Sequence, residues 1–512
     1  MALSKIFSVG LLGLSGCIIE TEADISFGLP AFDIVGLPDA AVKESKERVR
    51  SAISNTGFEF PMKRVTINLA PGDMKKEGPG FDLPIAVSVL ITDGQIAAEN
   101  AENYVFFGEL SLGGELRPVT GALPMVLCAK ENGIKKCILP FENAAEAAVV
   151  KDMQIFGAKT LADVVNHLSG EALISPTACD GEKLFEESSQ SVLDFSDVKG
   201  QSNVKRALEI AAAGGHNCLM IGSPGSGKTM LAQRLPGILP KMSFDEAIEV
   251  TKIHSVAGTL KGGTALLTAR PFRNPHHTTS SVALSGGGRV PRPGEISLAH
   301  NGVLFLDELP EFRKDALEAL RQPLEDGEVN ISRVNATITY PCRFMLVAAM
   351  NPCPCGYFGD PKRRCTCTPT QISKYLGKIS GPMLDRIDLH IDVAPVEYAH
   401  ITSTEKQESS AEVRARVNRA RELQRERYKE YDIYCNAQLT SKLMEKYCAL
   451  GEKESEMLSA AFDRMGLTAR AYSRIVKVAR TIADLAGEEK ISVLHIAEAL
   501  QYRTLDRKYY NR

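Results

Sequence analysis

Eight consecutive residues have the types and spacing that could bind a polyphosphate. They follow the apolar run 219–221 and read Gly222-Ser223-Pro224-Gly225-Ser226-Gly227-Lys228-Thr229. The glycines let backbone N–H groups point inward, and the helix expected to follow adds the positive end of its dipole. Lys228 would reach the β- and γ-phosphates of ATP, and the Thr229 hydroxyl would ligate Mg²⁺. The pattern favours a nucleoside triphosphate site over a glycine-rich turn without a ligand.

Two carboxylates end a second apolar run. The segment 303–306 reads Val-Leu-Phe-Leu and is followed by Asp307 and Glu308. Asp307 would hold Mg²⁺ through water, and Glu308 would polarise the water that attacks the γ-phosphate. An apolar strand ending in two acids is weak by itself, but downstream of a phosphate loop it predicts the catalytic half of an ATPase.

Four of the twelve cysteines are clustered. They form two Cys-x-Cys pairs, Cys353 with Cys355 and Cys365 with Cys367, and the cysteine loop 353–367 carries the basic residues 362–364 at its apex. Four thiolates on one loop suit tetrahedral Zn²⁺, although Cys-x-x-Cys is the commoner spacing. Free thiols, an iron–sulfur cluster or a redox pair are the alternatives. The other cysteines are scattered in apolar surroundings typical of buried packing residues.

Two further segments could contact a polyanion. The Pro-, Arg- and His-rich run 269–280 lies in an apparent insertion and contains His276 and His277, for which hydrogen bonding or phosphate contact is favoured over metal binding. The alternating runs 329–332 and 336–339 predict a β-hairpin with Arg333 near its tip. Such a hairpin could line the pore of a ring or simply pack on its own domain.

The chain is long enough for several domains. Residues 1–168 alternate strands (65–69, 104–107) with helices (39–55, 83–92, 122–132), which predicts a mixed α/β domain. Residues 169–190 are polar and aperiodic, as in a linker. Residues 191–397 would form the α/β nucleotide-binding domain, and residues 398–512 have an α-helical pattern.

The composition says more about where the protein is located than about which molecules it binds. The 512 residues have a formal net charge of −3, and such a balance still permits a local nucleic-acid surface. No apolar run reaches the ~20 residues of a membrane span. Residues 14–17 resemble a lipoprotein processing site, but the apolar stretch before them is short and interrupted. We therefore expect the first residues to begin a β-strand, and we expect a cytoplasmic protein.

The N-terminal domain resembles the proteolytic domain of Lon. The resemblance lies in residues 75–82 and 108–123. At the positions that the resemblance assigns to the nucleophilic serine and its activating lysine, this chain has Gly80 and Pro124. Neither can attack a carbonyl or accept a proton, so a Ser–Lys dyad is absent. The resemblance therefore implies a catalytically inactive Lon-like fold that serves as a ring-building or nucleic-acid-binding platform.

The nucleotide-binding domain is similar to AAA+ ATPases. Asn351, after the apolar run 344–350, resembles their sensor-1 residue. The segment 384–388 looks like an arginine-finger segment, which implies that Arg386 acts across a subunit boundary. Arg470 matches the sensor-2 arginine of the AAA+ lid best, with Arg474 as the alternative.

Taken together, these motifs resemble the YifB/ComM-type, magnesium-chelatase-like AAA+ ATPases. The segments 269–280 and 353–367 are more specific to that family than the ATPase motifs are. The resemblance implies a homohexamer that hydrolyses ATP to drive branch migration of single-stranded or branched DNA during natural transformation. Alternatives are the ATPase subunit of a Mg or Co chelatase and a remodeller of a protein partner; an ATP-dependent protease would need the missing nucleophile.

Overall fold

The chain forms two compact units in a computed structural model. The structure describes residues 4–179, 181, 193–288, 291–333, 336–360, 362–396, 407–431, 433–505 and 509. Unit 1 comprises Met1–Ser188 with Phe244–Thr268, and unit 2 comprises Ser189–Ser243 with Ala269–Arg512. Part of the expected linker 169–190, namely residue 180 and residues 182–190, lies outside the described residues.

Unit 1 is built on a seven-stranded mixed sheet. Its order is β3-β4-β2-β1-β5-β8-β9, with β1–β2 and β2–β4 antiparallel and the other pairs parallel. In β4 every second residue is buried, because alternate side chains face the core. The strands are β1 Ser4–Leu12, β2 Ser15–Ser26, β3 Ala31–Val35, β4 Arg64–Ala70, β5 Tyr104–Phe106, β6 Glu109–Leu110, β7 Leu116–Arg117, β8 Lys136–Pro140 and β9 Gln154–Ala158.

Helices complete unit 1. The helices are Ala40–Asn55, Asp82–Thr92, Ala122–Glu131, Ala144–Ala147 and Leu161–Ser169. The first begins where the Asp39 carboxylate accepts a hydrogen bond from the Val42 N–H at 2.8 Å. The second begins at buried Asp82, which accepts a hydrogen bond from Arg48 Nε at 2.6 Å. These elements agree with the strands and helices predicted from the sequence, including the strand at the beginning of the chain.

One segment from the middle of the sequence belongs to unit 1. Helix Phe244–Ala257 was included in the expected range of the nucleotide-binding domain, but it packs against helix Ala122–Glu131. The Gly121 N–H donates to the Ser255 carbonyl at 3.1 Å. Unit 1 is therefore discontinuous in sequence.

Unit 2 contains a five-stranded parallel sheet. Its order is β11-β14-β17-β10-β18, so β10 lies between β17 and β18. The paired residues of β10, β14 and β17 are buried and mostly apolar, as expected for a sheet covered on both faces. The strands of unit 2 are β10 Cys218–Ile221, β11 Phe272–Arg273, β12 Gly286–Gly287, β13 Arg292–Pro293, β14 Val303–Leu306, β15 Glu328–Arg333, β16 Ala336–Pro341, β17 Met345–Met350 and β18 Leu389–Asp392.

The expected β-hairpin is present as the antiparallel pair β15–β16, in which Ile331 faces Ile338. Residues 334 and 335 lie outside the described residues, and the side chain of Arg333 is not described. The proposed role of that side chain at the hairpin tip therefore stays a prediction.

The C-terminal helices share a hydrophobic core with the sheet of unit 2. Val417, Val476 and Ile496 belong to the same buried cluster as Val347 of β17. The helices of unit 2 are Ser202–Gly214, Lys228–Arg234, Ser281–Ser285, Glu295–Leu298, Lys314–Glu318, Arg321–Asp326, Pro369–Leu376, Gly381–Leu384, Ser410–Arg427, Ser441–Tyr447, Glu452–Met465, Ala469–Ala486 and Val493–Gln501. The α/β fold class with a helical C-terminal region is confirmed. Among the described residues, no helix has both the length and the apolar character needed to cross a membrane.

Candidate functional site

The phosphate loop, residues 222–229, connects β10 to helix Lys228–Arg234. Gly225 and Gly227 have φ of +77° and +90°, a conformation that favours glycine. Gly222 is needed for a different reason, because a Cβ there would lie 2.3 Å from the Val393 carbonyl oxygen. The loop can therefore bring its backbone N–H groups close to a phosphate, as the sequence predicts.

Lys228 is held inside this loop. Its Nζ donates hydrogen bonds to the carbonyls of Gly222 at 2.8 Å and Ser223 at 3.1 Å, and to Asn351 Oδ1 at 3.2 Å. Burial lowers the pKa of Lys228, and the nearby Asp307 carboxylate opposes that shift. The structure thus brings together Lys228 and Asn351, which are separated by 123 residues in the sequence.

Thr229 and Asp307 face each other at the same edge of the sheet. Asp307 directly follows β14, and its Oδ2 accepts a hydrogen bond from the Thr229 hydroxyl at 2.7 Å. A hydroxyl and a carboxylate are the oxygen ligands that Mg²⁺ prefers next to phosphates. This donor set suits Mg²⁺, and its binding by Thr229 and, through water, by Asp307 stays a prediction.

Glu308 lies beside His277. Its Oε2 is 3.2 Å from His277 Nδ1, and the ring of His277 stacks 4.1 Å from that of His276. Glu308 has a left-handed φ of +53°, which is uncommon for a residue with a side chain. His277 lies in a loop and Glu308 at a strand end, 31 positions apart. No sequence spacing could therefore have indicated this pair.

Arg386 is bound within its own chain. It is 10% exposed, donates to the Pro382 carbonyl at 2.6 Å and pairs with the carboxylate of Glu325. Its partner Glu325 was not recognised from the sequence. The action of Arg386 across a subunit boundary stays a prediction.

The two candidate lid arginines have different surroundings. Arg470 is 66% exposed and lies 3.6 Å from Asp385. Arg474 is 18% exposed, lies 3.5 Å from Asp388 and donates to the Ile387 carbonyl at 3.2 Å. Both arginines therefore contact the predicted arginine-finger segment, residues 384–388, and the assignment of sensor 2 to either stays open to experiment.

The four clustered cysteines come together. Cys353 Sγ lies 3.4 Å from Cys355 Sγ and 3.7 Å from Cys365 Sγ, and the latter two are 3.5 Å apart. The four sulfurs, including that of Cys367, lie within 4.8 Å of one another. Zinc bound tetrahedrally at about 2.3 Å from each sulfur requires sulfurs about 3.8 Å apart. The cluster therefore has the dimensions of a metal site.

The Lon-like unit offers no Ser–Lys dyad. Gly80 lies at the position expected for the nucleophile, and a Cβ there would have Val119 Cγ1 as a neighbour at 3.8 Å. Pro124 lies buried in helix Ala122–Glu131. The missing hydroxyl is thus a matter of residue type, since the position has room for a side chain.

The fold and this site define a class. Three family descriptions match successive parts of the chain: subunit ChlI of Mg-chelatase over residues 21–143, magnesium chelatase subunit ChlI over residues 194–401, and the magnesium chelatase subunit ChlI C-terminal region over residues 407–503. With the parallel sheet and its phosphate loop, they define a magnesium-chelatase-like AAA+ ATPase.

Relatives that match the full length of the chain identify the family within this class. Competence protein ComM of Haemophilus influenzae is 47% identical over 509 residues, which cover 99% of this chain and 98% of ComM. The uncharacterized protein YifB of Salmonella typhimurium is 47% identical over 512 residues, with the same coverage. The chain belongs to the YifB/ComM family. Lon protease 2 of Bacillus subtilis is 29% identical over 137 residues, 26% of this chain and 23% of the protease, which supports the Lon-like fold.

Proposed function

We propose that this ATPase is a cytoplasmic DNA motor: a homohexamer that uses ATP hydrolysis to move single-stranded or branched DNA, as a helicase or in branch migration during recombination of incoming DNA. The observation that carries the DNA part is a run of three exposed basic residues, 362–364, on the cysteine loop, beside the ATP site. Such a run suits contact with a phosphate backbone. A full-length relative is named a competence protein.

The residues around the phosphate loop would each have a separate role in ATP hydrolysis. Lys228 and the loop N–H groups would bind the β- and γ-phosphates, and Thr229 with Asp307 would hold Mg²⁺, which offsets phosphate charge when bound. Glu308 would accept the proton of the attacking water, and Asn351 would orient that water. Arg386 of a neighbouring subunit would stabilise the charge of the transition state, and Arg470 or Arg474 would sense the nucleotide from the C-terminal helices.

The test is ATPase activity with a panel of single-stranded, double-stranded and branched DNA. We expect at least one DNA structure to stimulate hydrolysis, and we expect the stimulation to weaken steeply as salt rises, because phosphate contacts release counterions. A rate that no DNA structure changes would contradict the DNA motor while leaving the ATPase intact. Particle size with and without nucleotide, measured in parallel, tests the ring.

A second candidate function is the ATPase subunit of a metal chelatase. It is favoured by the three matches to magnesium chelatase subunit ChlI, which span both units. This candidate predicts that hydrolysis responds to a tetrapyrrole-binding partner and ignores DNA. The same assay, repeated with such a partner in place of DNA, separates the two candidates.

We also propose that the four cysteines of the loop bind structural zinc. Their sulfurs lie at distances that suit tetrahedral coordination. Metal analysis of the purified protein should find one zinc per chain. An iron–sulfur cluster would instead give iron and visible absorption.

A further inference from the structure

The cysteine loop, residues 353–367, lies directly against the phosphate loop. Gly356 has φ of +85°, and a Cβ on it would lie 2.5 Å from Pro224 Cδ and 2.6 Å from Pro224 Cγ. The backbone at Gly356 therefore contacts the side chain of Pro224. A few residues further on, the backbone N–H of Lys362 lowers the pKa of the Asp360 carboxyl, and the nearby Ser223 side chain adds a smaller contribution. The cysteine loop thus contacts Pro224 and lies near Ser223 of the phosphate loop.

The beginning of the cysteine loop is also tied to the ATP site. Asn351 precedes Cys353 by two residues and accepts the hydrogen bond from Lys228 Nζ at 3.2 Å. Cys353 itself is fully buried, whereas the other three cysteines are partly exposed. Displacing the four sulfurs would therefore disturb Lys228 through its contact with Asn351. It would also disturb the phosphate loop through Pro224.

The described part of the cysteine loop contains neither helix nor strand. A segment without helix or strand can be held in one conformation by cross-links. A bound metal acts as such a cross-link, because its binding free energy contributes to folding. The sulfurs of Cys353, Cys355 and Cys365 bring the two ends of the loop together. Apart from N–H···S hydrogen bonds such as that from Cys355 N to Cys367 Sγ at 3.3 Å, a bound metal would be the main link between these sulfurs.

We propose that zinc bound by the four cysteines fixes the shape of the phosphate loop, so that ATP affinity depends on the metal. This inference rests on the zinc proposal above and extends it: the metal acts on nucleotide binding through Pro224, Ser223 and Asn351. Zinc here would have no chemical step, and all four of its positions would be filled by sulfur.

The first test removes two ligands in the full-length protein. Cys365→Ser/Cys367→Ser should lose zinc and bind a fluorescent, non-hydrolysable ATP analogue at least about tenfold more weakly, because the phosphate loop loses its support. Cys17→Ser/Cys179→Ser removes two partly exposed thiols of unit 1. This control should keep both its zinc and its affinity for the analogue.

The second test keeps the ligands and disturbs the contact. Gly356→Ala places a methyl group where Pro224 lies, and it should raise the Kd for the analogue about tenfold while one zinc per chain remains. This variant matters because the double cysteine variant could fail to fold. Asp360→Ala, which removes the carboxylate near the Ser223 side chain, should raise the Kd by a smaller factor with zinc retained.

The outcomes separate the proposals. Stoichiometric zinc whose loss leaves the Kd unchanged, or normal affinity in Gly356→Ala, overturns the coupling and spares the metal site. Wild-type protein that is purified with no zinc and still binds the analogue overturns both the metal site and the coupling. Neither result bears on the DNA motor, because these measurements contain no DNA.

Discussion

Glu308 is subject to two local constraints at once. Its backbone has φ of +53°, which costs roughly 1 kcal/mol for a residue with a Cβ. Its carboxylate is more than half exposed and would otherwise rotate freely, but His277 Nδ1 lies 3.2 Å from it. Such a contact orients the carboxylate, and orientation is what a general base needs. If Glu308 is the base proposed above, His277 is placed to orient it.

We expect His277→Ala to lower kcat for ATP hydrolysis about three- to tenfold with little change in KM, because the base loses its fixed orientation while the phosphate contacts remain. Steady-state ATPase kinetics measure both constants. His276→Ala is the matched control, since His276 bonds Thr278 at 2.9 Å instead of Glu308. Equal losses in the two variants would mean that the loop, not the His277 contact, is what matters.

At the scale of elements, Asp484 connects the C-terminal helices. It is fully buried at the side chain and accepts hydrogen bonds from Arg427 at 3.0 Å, Arg480 at 3.1 Å and Asn436 at 2.8 Å. Arg427 belongs to helix Ser410–Arg427, whereas Arg480 and Asp484 belong to helix Ala469–Ala486. One carboxylate thus pairs with two guanidinium groups and ties two helices together.

Asp484→Ala should destabilise helix Ala469–Ala486 by about 3–5 kcal/mol, because it leaves buried positive charge without a partner. Hydrogen–deuterium exchange of peptides from this helix gives the local stability. In Asp463→Ala, which changes an exposed carboxylate, the shift should stay within about 0.5 kcal/mol. Protection unchanged in Asp484→Ala would show that packing alone holds the helix.

Patterns among neighbouring residues predicted the helices and strands well. Nothing in the sequence predicted the contacts between residues that are distant in sequence. Strand 65–69 and the hairpin 329–339 follow from the alternation of apolar and polar neighbours, and strand 104–107 follows from a short continuous apolar run. Helix Phe244–Ala257 lies within the predicted range of the nucleotide-binding domain yet packs in unit 1, because no local pattern indicates which sheet a helix packs on. The pairs Arg386–Glu325 and His277–Glu308 join residues 61 and 31 positions apart, and only the tertiary structure brings them together. The chemical roles of the site residues stay predictions.

At the scale of the whole molecule, Arg386 is the residue that the assembly proposal depends on. In one chain its guanidinium pairs with Glu325 and with the Pro382 carbonyl. If the arginine acts on a neighbour's ATP, each active site needs Lys228 and Glu308 from one subunit and Arg386 from the next. A defect in one half can then be complemented by another subunit.

Arg386→Ala and Glu308→Gln proteins should each be nearly inactive alone and should regain activity when mixed, since some sites then combine two intact halves. The measurement is ATPase rate against mixing ratio. Lys228→Ala mixed with Glu308→Gln is the matched control, because both changes fall in the same half and no intact site can form. Rescue in neither mixture, where mixed rings demonstrably form, would contradict a shared site.

The space around Gly80 shows what unit 1 would need in order to carry a Ser–Lys dyad. A serine could return there without displacing a neighbour, for Val119 Cγ1 would be 3.8 Å away, yet it would find no amine at Pro124. A serine at Gly80 alone would therefore lack its activating lysine, and peptide cleavage at these two positions would need both residues to be replaced.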